Sequence, residues 1–167
     1  MIQAGLFMGL LAMVVDNPPA VEPAALMECR SDMASFQAFA EDALSTAPPA
    51  GWTKVEGANP FLTEFRLARP VTAFGRSTSR VAFASSGLLA LFDNVEAQAI
   101  AGPLGIANDL GGPSKFVGEK ILSRKVEEDK ELGSRFVTIV ALTVSTVDTH
   151  PGTVLAGCSY RVDVEDL

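Results

Sequence analysis

Between residues 24 and 46, Leu26, Cys29, Met33, Phe36, Ala40 and Ala43 recur at alternating steps of three and four. Residues so spaced share one face of an α-helix. Pro23 suits a first helical position, and Pro48, Pro49 and Gly51 stop the pattern. One long N-terminal helix is predicted, with Cys29 on its buried stripe. From about residue 52 the period shortens toward 2. Phe61, Thr63, Phe65 and Leu67 alternate with Leu62, Glu64, Arg66 and Ala68, which reads as a strand. Pro70 places that strand at a sheet edge or bends it. A second strand region covers residues 80–92, with Gly87 as a bulge position. Asp93 or Asn94 then caps a short helix over residues 95–101, and Gly102, Pro103 and Gly105 end it.

The last third predicts an antiparallel meander. Strands cover residues 116–126, 135–147 and 153–164. A charged tip of Glu127, Glu128, Asp129, Lys130 and Glu131 and a Pro151-Gly152 turn separate them. In the closing strand Val154, Ala156, Cys158, Tyr160, Val162 and Val164 share one face. The middle strand is apolar on both faces: Val137, Ile139, Ala141 and Val147 on one, Phe136, Val140, Leu142 and Val144 on the other. Such a strand is covered on both sides. The long helix supplies one cover. The short helix, the N-terminal run, a second subunit or a bound apolar ligand would supply the other.

The expected architecture is therefore α+β: a long N-terminal helix packed on a four- to five-stranded antiparallel sheet with a short inserted helix. A single domain spans residues 23–167. The order of elements has a general likeness to cone-shaped and cystatin-like α+β folds, an analogy that carries no function. Cys29 and Cys158 both project from apolar faces that a helix-on-sheet packing brings together, so a Cys29–Cys158 disulfide is expected. Two buried free thiols are the alternative in a cytosolic chain.

Residues 1–22 read as an export segment and linker. Residues 4–15 are uncharged and apolar, too short to span a bilayer, which takes about 20 residues, and suited to the middle of a secretory signal. No Lys or Arg precedes the run and no clean small-x-small site follows it. A misassigned start, an atypical signal, or a helix of the mature fold would each account for that. Periplasmic or secreted placement is the preferred expectation; cytoplasmic is the alternative.

Composition narrows the functional classes. The chain has 167 residues and a net charge of −7, which argues against nucleic acid as a partner. Arg66, Arg69, Arg76 and Arg80 form the one basic cluster, read as the solvent face of adjacent strands. Ten Phe against one Trp and one Tyr imply a dry interior. Catalytic motifs are missing: residues 84–88 lack the first glycine of GxSxG, and no Ser-x-x-Lys occurs. One histidine and two distant cysteines give no metal spacing, and no cofactor is expected. Glu64, Glu119 and Asp163 sit on strands opposite apolar positions and are read as solvated.

Two readings follow. The preferred one is a non-catalytic envelope or periplasmic protein that binds a partner protein or a small apolar ligand; homo-oligomerisation is one form of it. Its candidate contacts are Asn108 and Asp109 in the glycine-rich loop and Val137 and Ile139 on the doubly apolar strand. The alternative is a hydrolase-like enzyme built on Asp148 and His150 with a serine from elsewhere in the fold.

Overall fold

The computed structural model of the chain describes residues 21–57, 59–131 and 133–166. The apolar run at residues 4–15, read above as a signal segment, lies outside them. The elements in chain order are helices α1 (Pro23–Met27) and α2 (Met33–Ala43), strands β1 (Trp52–Val55), β2 (Leu62–Ala73), β3 (Arg76–Ala84) and β4 (Gly87–Asp93), helix α3 (Ala97–Leu104), and strands β5 (Val117–Asp129), β6 (Ser134–Thr146) and β7 (Thr153–Asp166). All seven strands form one antiparallel sheet in the order β1-β2-β3-β4-β7-β6-β5. Helix α3 lies in the connection that carries the chain from mid-sheet β4 to edge strand β5.

This corrects the expected architecture on two points. First, the long N-terminal helix does not exist. The apolar period runs unbroken through residues 26–43, but the backbone breaks at Cys29, which takes a left-handed φ of 54°. The Asp32 side chain then accepts a hydrogen bond from Ser35 N at 2.8 Å and caps α2 as a separate helix. That bond also holds the Asp32 carboxyl below its ordinary value. Periodicity reports which residues face the core, and two short helices on the same core satisfy it as well as one long one. Second, the sheet has seven strands rather than four or five. The single strand expected over residues 80–92 is a hairpin, because Ser85 turns at φ 50° and Ala84 pairs with Gly87. A further hairpin closes at Phe74 and Gly75, both with positive φ, as a two-residue turn between twisted strands requires. Pro70 sits where the β2–β3 register shifts between Arg66 and Val71. It therefore bends β2, and it lies beyond the short β1, which pairs only with residues 64–67.

The helices cover one face of the sheet. Leu26, Met27, Phe36, Phe65, Val81, Phe83, Leu88, Phe92, Ile100, Val144, Val154, Cys158 and Tyr160 form the main core there. Phe36 stacks on Tyr160 with centroids 4.7 Å apart, and Phe39, Trp52, Phe65 and Phe83 extend the aromatic contact. The Tyr160 hydroxyl donates to the Leu26 carbonyl at 2.9 Å, which satisfies a buried helix-end acceptor. Burial raises the Tyr160 phenol to about 12. Cys29 and Cys158 form a disulfide, with Cα atoms 5.2 Å apart at a sequence separation of 129. Residues 26–29 are thus fixed to β7 twice, at Tyr160 and at Cys158. Glu28 adds a third tie, accepting from Phe74 N at 2.7 Å.

The opposite face carries a thinner apolar layer of Ala82, Leu89, Leu91 and Leu155, with Val137, Ile139 and Ala141 as a separate cluster along β6. Gly157 belongs to this face because Leu89 leans over it: a Cβ there would sit 2.7 Å from Leu89 Cδ2. Among the described residues no helix is long and apolar enough to cross a membrane.

Candidate functional site

Polar chemistry concentrates where the β6–β7 turn folds over the second face of the sheet. Glu64 on β2 is buried, only 6% exposed, although its strand position suggested a solvated carboxylate. Its Oε1 lies 2.8 Å from His150 Nε2, and Arg80 reaches its Oε2 at 3.4 Å. His150 Nδ1 is 2.9 Å from the Thr149 hydroxyl, which also accepts from Asn59 Nδ2 at 3.1 Å. Where Nε2 donates to Glu64, the neutral ring leaves Nδ1 as an acceptor for Thr149. A carboxylate, an imidazole and a hydroxyl thus stand in series. Arg80 Nη1 also meets Asp93 at 2.7 Å, and Thr153 donates to the same Asp93 oxygen at 2.7 Å. The Thr153 hydroxyl first, then Arg80, hold the Asp93 carboxyl below its ordinary range against the opposing effect of burial. The network joins β2, β3, β4 and the β6–β7 turn above Leu91 and Leu155.

Beside it lies an open cleft of about 570 Å³. Glu96 and Gln98 at the start of α3, Asn108, Ser114, Lys115 and His150 are among its walls. Asn108 is committed to the loop itself: its Nδ2 donates to the Lys115 carbonyl and its Oδ1 accepts from Val117 N. Asp148 lines the cleft too, but it pairs with Lys115 Nζ at 2.6 Å. The carboxylate that meets His150 is Glu64. Sequence proximity points to Asp148, two residues away; the real partner is 86 residues away, and no local pattern marks a pair that two strands bring together. Asp109 is exposed and does not line the cleft.

Val137 and Ile139 are not part of this place. Thr146, at the cleft, is nine residues from Val137 along β6, roughly 30 Å of strand. Their second cover is built from charged side chains. Arg161 on β7 and Glu119 on β5 form a two-pronged pair at 2.8 and 2.9 Å. Arg161 stands opposite Ile139 and Glu119 opposite Thr143, so the bridge crosses β6 over Ala141. Arg124 on β5 reaches Glu165 on β7 at 3.4 Å. These stand opposite Ile139 and Arg135, so this bridge crosses over Val137. Arg135 approaches the same Glu165 carboxylate at 3.1 Å without hydrogen-bond alignment. Arginine stems cover apolar surface well while their heads stay wet. Val137 is fully buried and Ile139 is 6% exposed.

Of the basic cluster, Arg66 and Arg80 are cross-strand partners, and Arg80 is neutralised by Glu64 and Asp93. Among the described residues no group of three or more His, Cys, Asp and Glu side chains is placed to hold a metal ion. Comparison with protein-family models, with curated proteins and with solved structures gives no match, so any functional reading rests on this geometry alone.

Proposed function

We propose that the chain is a non-catalytic, exported protein of the periplasm or the extracellular space, acting by binding a partner protein or a small apolar ligand. The Cys29–Cys158 disulfide carries this reading. Cys158 is buried in the main core with the partly buried Cys29 packed against it, and structural crosslinks of this kind persist in oxidising compartments. The apolar run at residues 4–15 agrees with export. Binding is preferred over catalysis because four polar side chains of the cleft are turned to structural use: Asn108 holds its loop, Lys115 and Asp148 neutralise each other, and both ring nitrogens of His150 are engaged. The test is the intact mass of the protein recovered from its own host without reductant. A mass short of the N-terminal run and of two hydrogens is expected. A full-length mass with two free thiols would overturn the export reading.

One observation favours a second reading, a hydrolase. The series Glu64, His150, Thr149 has the spacing of an acid–base–nucleophile relay, with Glu64 rather than Asp148 as its acid. Treatment with a fluorophosphonate decides it. Under the binding reading Thr149 stays unmodified. Stoichiometric labelling of Thr149 that His150→Ala abolishes would establish the enzyme.

A further inference from the structure

Strand β5 ends the sheet, and its outer side is occupied only near its start. There Leu110 N donates to the Val117 carbonyl, and Asn108 Oδ1 accepts from Val117 N. A bulge between Ile121 and Ser123 then interrupts the strand, which ends at Asp129. Residues 123–129 are left as one regular run of edge with no strand of the described residues beside it. Val126 is the central residue of that run and is 41% exposed.

The side to which each backbone group points follows from strand register. Tyr160 N donates to Ser86 O, so Tyr160 faces β4. Val140 stands opposite Tyr160 and therefore faces away from it, toward β5. Backbone groups alternate sides along a strand. Ile139 and Val137 thus face β7, and Arg124 and Val126, which stand opposite them, face outward. Glu128 faces outward by the same alternation. Charge along this run inverts about its centre: Arg124 and Lys125 precede Val126, and Glu127 and Glu128 follow it. Charges guard an edge against strands in general. This order guards it selectively, because an antiparallel strand of the same sequence brings each positive side chain opposite a negative one.

We propose that β5 pairs with β5 of a second copy of the chain, antiparallel about a two-fold axis at Val126. This rests on the binding reading and deepens it by naming the partner. Lys125 then stands opposite the partner's Glu127, Arg124 opposite the partner's Glu128, and Val126 opposite the partner's Val126. The outward N–H and C=O groups of Arg124, Val126 and Glu128 are all satisfied. Directly opposed residues share a face, so a slip of register moves the axis by one whole residue. Either slip is unfavourable, because it sets Lys125 against the partner's Lys125 or Glu127 against the partner's Glu127. The partner's strand ends at its Asp129, opposite Ser123, so it stops at the bulge and clears the loop at Val117. Existing ion pairs are compatible with this register. Lys125 meets Glu127 of its own chain at 2.6 Å, both well exposed; with the copy in place the four charges alternate in sign around the axis. Arg124 reaches inward to Glu165 through Nη2 at 3.4 Å, which leaves its other donors for the partner's Glu128. Arg135, which stands opposite Glu128 on the inner side, approaches Glu165 instead. The short run of edge and the net charge of −7 on each copy keep the association weak and concentration-dependent.

The test is the mass of the oxidised full chain by light scattering over rising concentration. Rise toward about twice the 17.6 kDa of one chain is expected. Lys125→Glu and Glu127→Lys, each alone, set like charges opposite each other at two symmetric positions and are expected to weaken the dimer roughly tenfold. Both sites are exposed, and near-ultraviolet circular dichroism should stay native. The double variant Lys125→Glu with Glu127→Lys restores opposite charges and is expected to recover the dimer. An equimolar mixture of the two single variants is expected to form a heterodimer where neither dimerises alone. A monomer of the native chain at every concentration overturns the proposal. So does a dimer that either single variant leaves unchanged, or a mixture that fails to associate, since the register would then be wrong. None of these outcomes bears on whether the chain is exported.

Discussion

On the helix-covered face of the sheet, Phe36 lies flat on Tyr160 and the Cys29–Cys158 bond ties the core at Cys158 to the half-buried Cys29. On the opposite face, Ala141 and Val137 lie under the Arg161–Glu119 and Arg124–Glu165 bridges. Both places exclude water, yet different physics holds them. The first rests on apolar area, ring packing and a covalent tie, which salt does not screen. The second rests on paired charges about a quarter to half exposed, where desolvation offsets much of the attraction. The lesson concerns β6. A strand that is apolar on both faces does not require a ligand or a second subunit, because arginine and glutamate from its two neighbours can meet above it.

The contrast predicts unequal responses. Breaking the disulfide with Cys158→Ala, or by reduction, should cost the most, about 4 kcal/mol from the freed loop entropy, with real losses often smaller. Urea midpoints of oxidised and reduced protein measure it, and equal midpoints would show that the core alone holds α1. On the charged face, Arg161→Leu should cost about 1 to 2 kcal/mol, because Glu119 is left partly buried without its partner. Adding Glu119→Leu should recover most of that loss, and a double variant no better than the single one would mean that the arginine stem, not the ion pair, covers Ala141. The smallest effect belongs to Asp93. Its folded carboxyl lies below the ordinary value of 3.8 that it regains on unfolding. Its stabilising contribution is therefore present above that value and fades as pH falls through the folded one. The difference in urea midpoint between the native chain and Asp93→Asn should shrink on acidification from about pH 6 to about pH 2; a gap that stays constant would place the effect in Thr153 packing instead.

The final meander and the cysteine pairing are legible in the order of residues alone, whereas the helix pair and the seven-strand sheet are not. The period-2 stretches locate the three strands of the final meander to within a few residues, because alternation is imposed by a single buried face. The same logic puts Cys29 and Cys158 on facing apolar surfaces, and the structure joins them. The helix break at Cys29 is not legible from periodicity, although Asp32, three residues before Ser35, is a cap signal in the chain. The split of residues 80–92 into a hairpin is hidden because the turn uses Ser85 in a left-handed conformation rather than Asn-Gly.

The sequence by itself determined that the last three strands are antiparallel neighbours in a meander and that two cysteines can meet. Those follow from periods of 2 and 3.6 and from short turns, all local quantities. Only the tertiary structure decided that Glu64 meets His150 and that Arg161 crosses β6 to Glu119. Each depends on strand register and order between residues 42 to 86 positions apart. Register is set by the sum of many weak packing contacts across the sheet, and no single stretch of chain contains it.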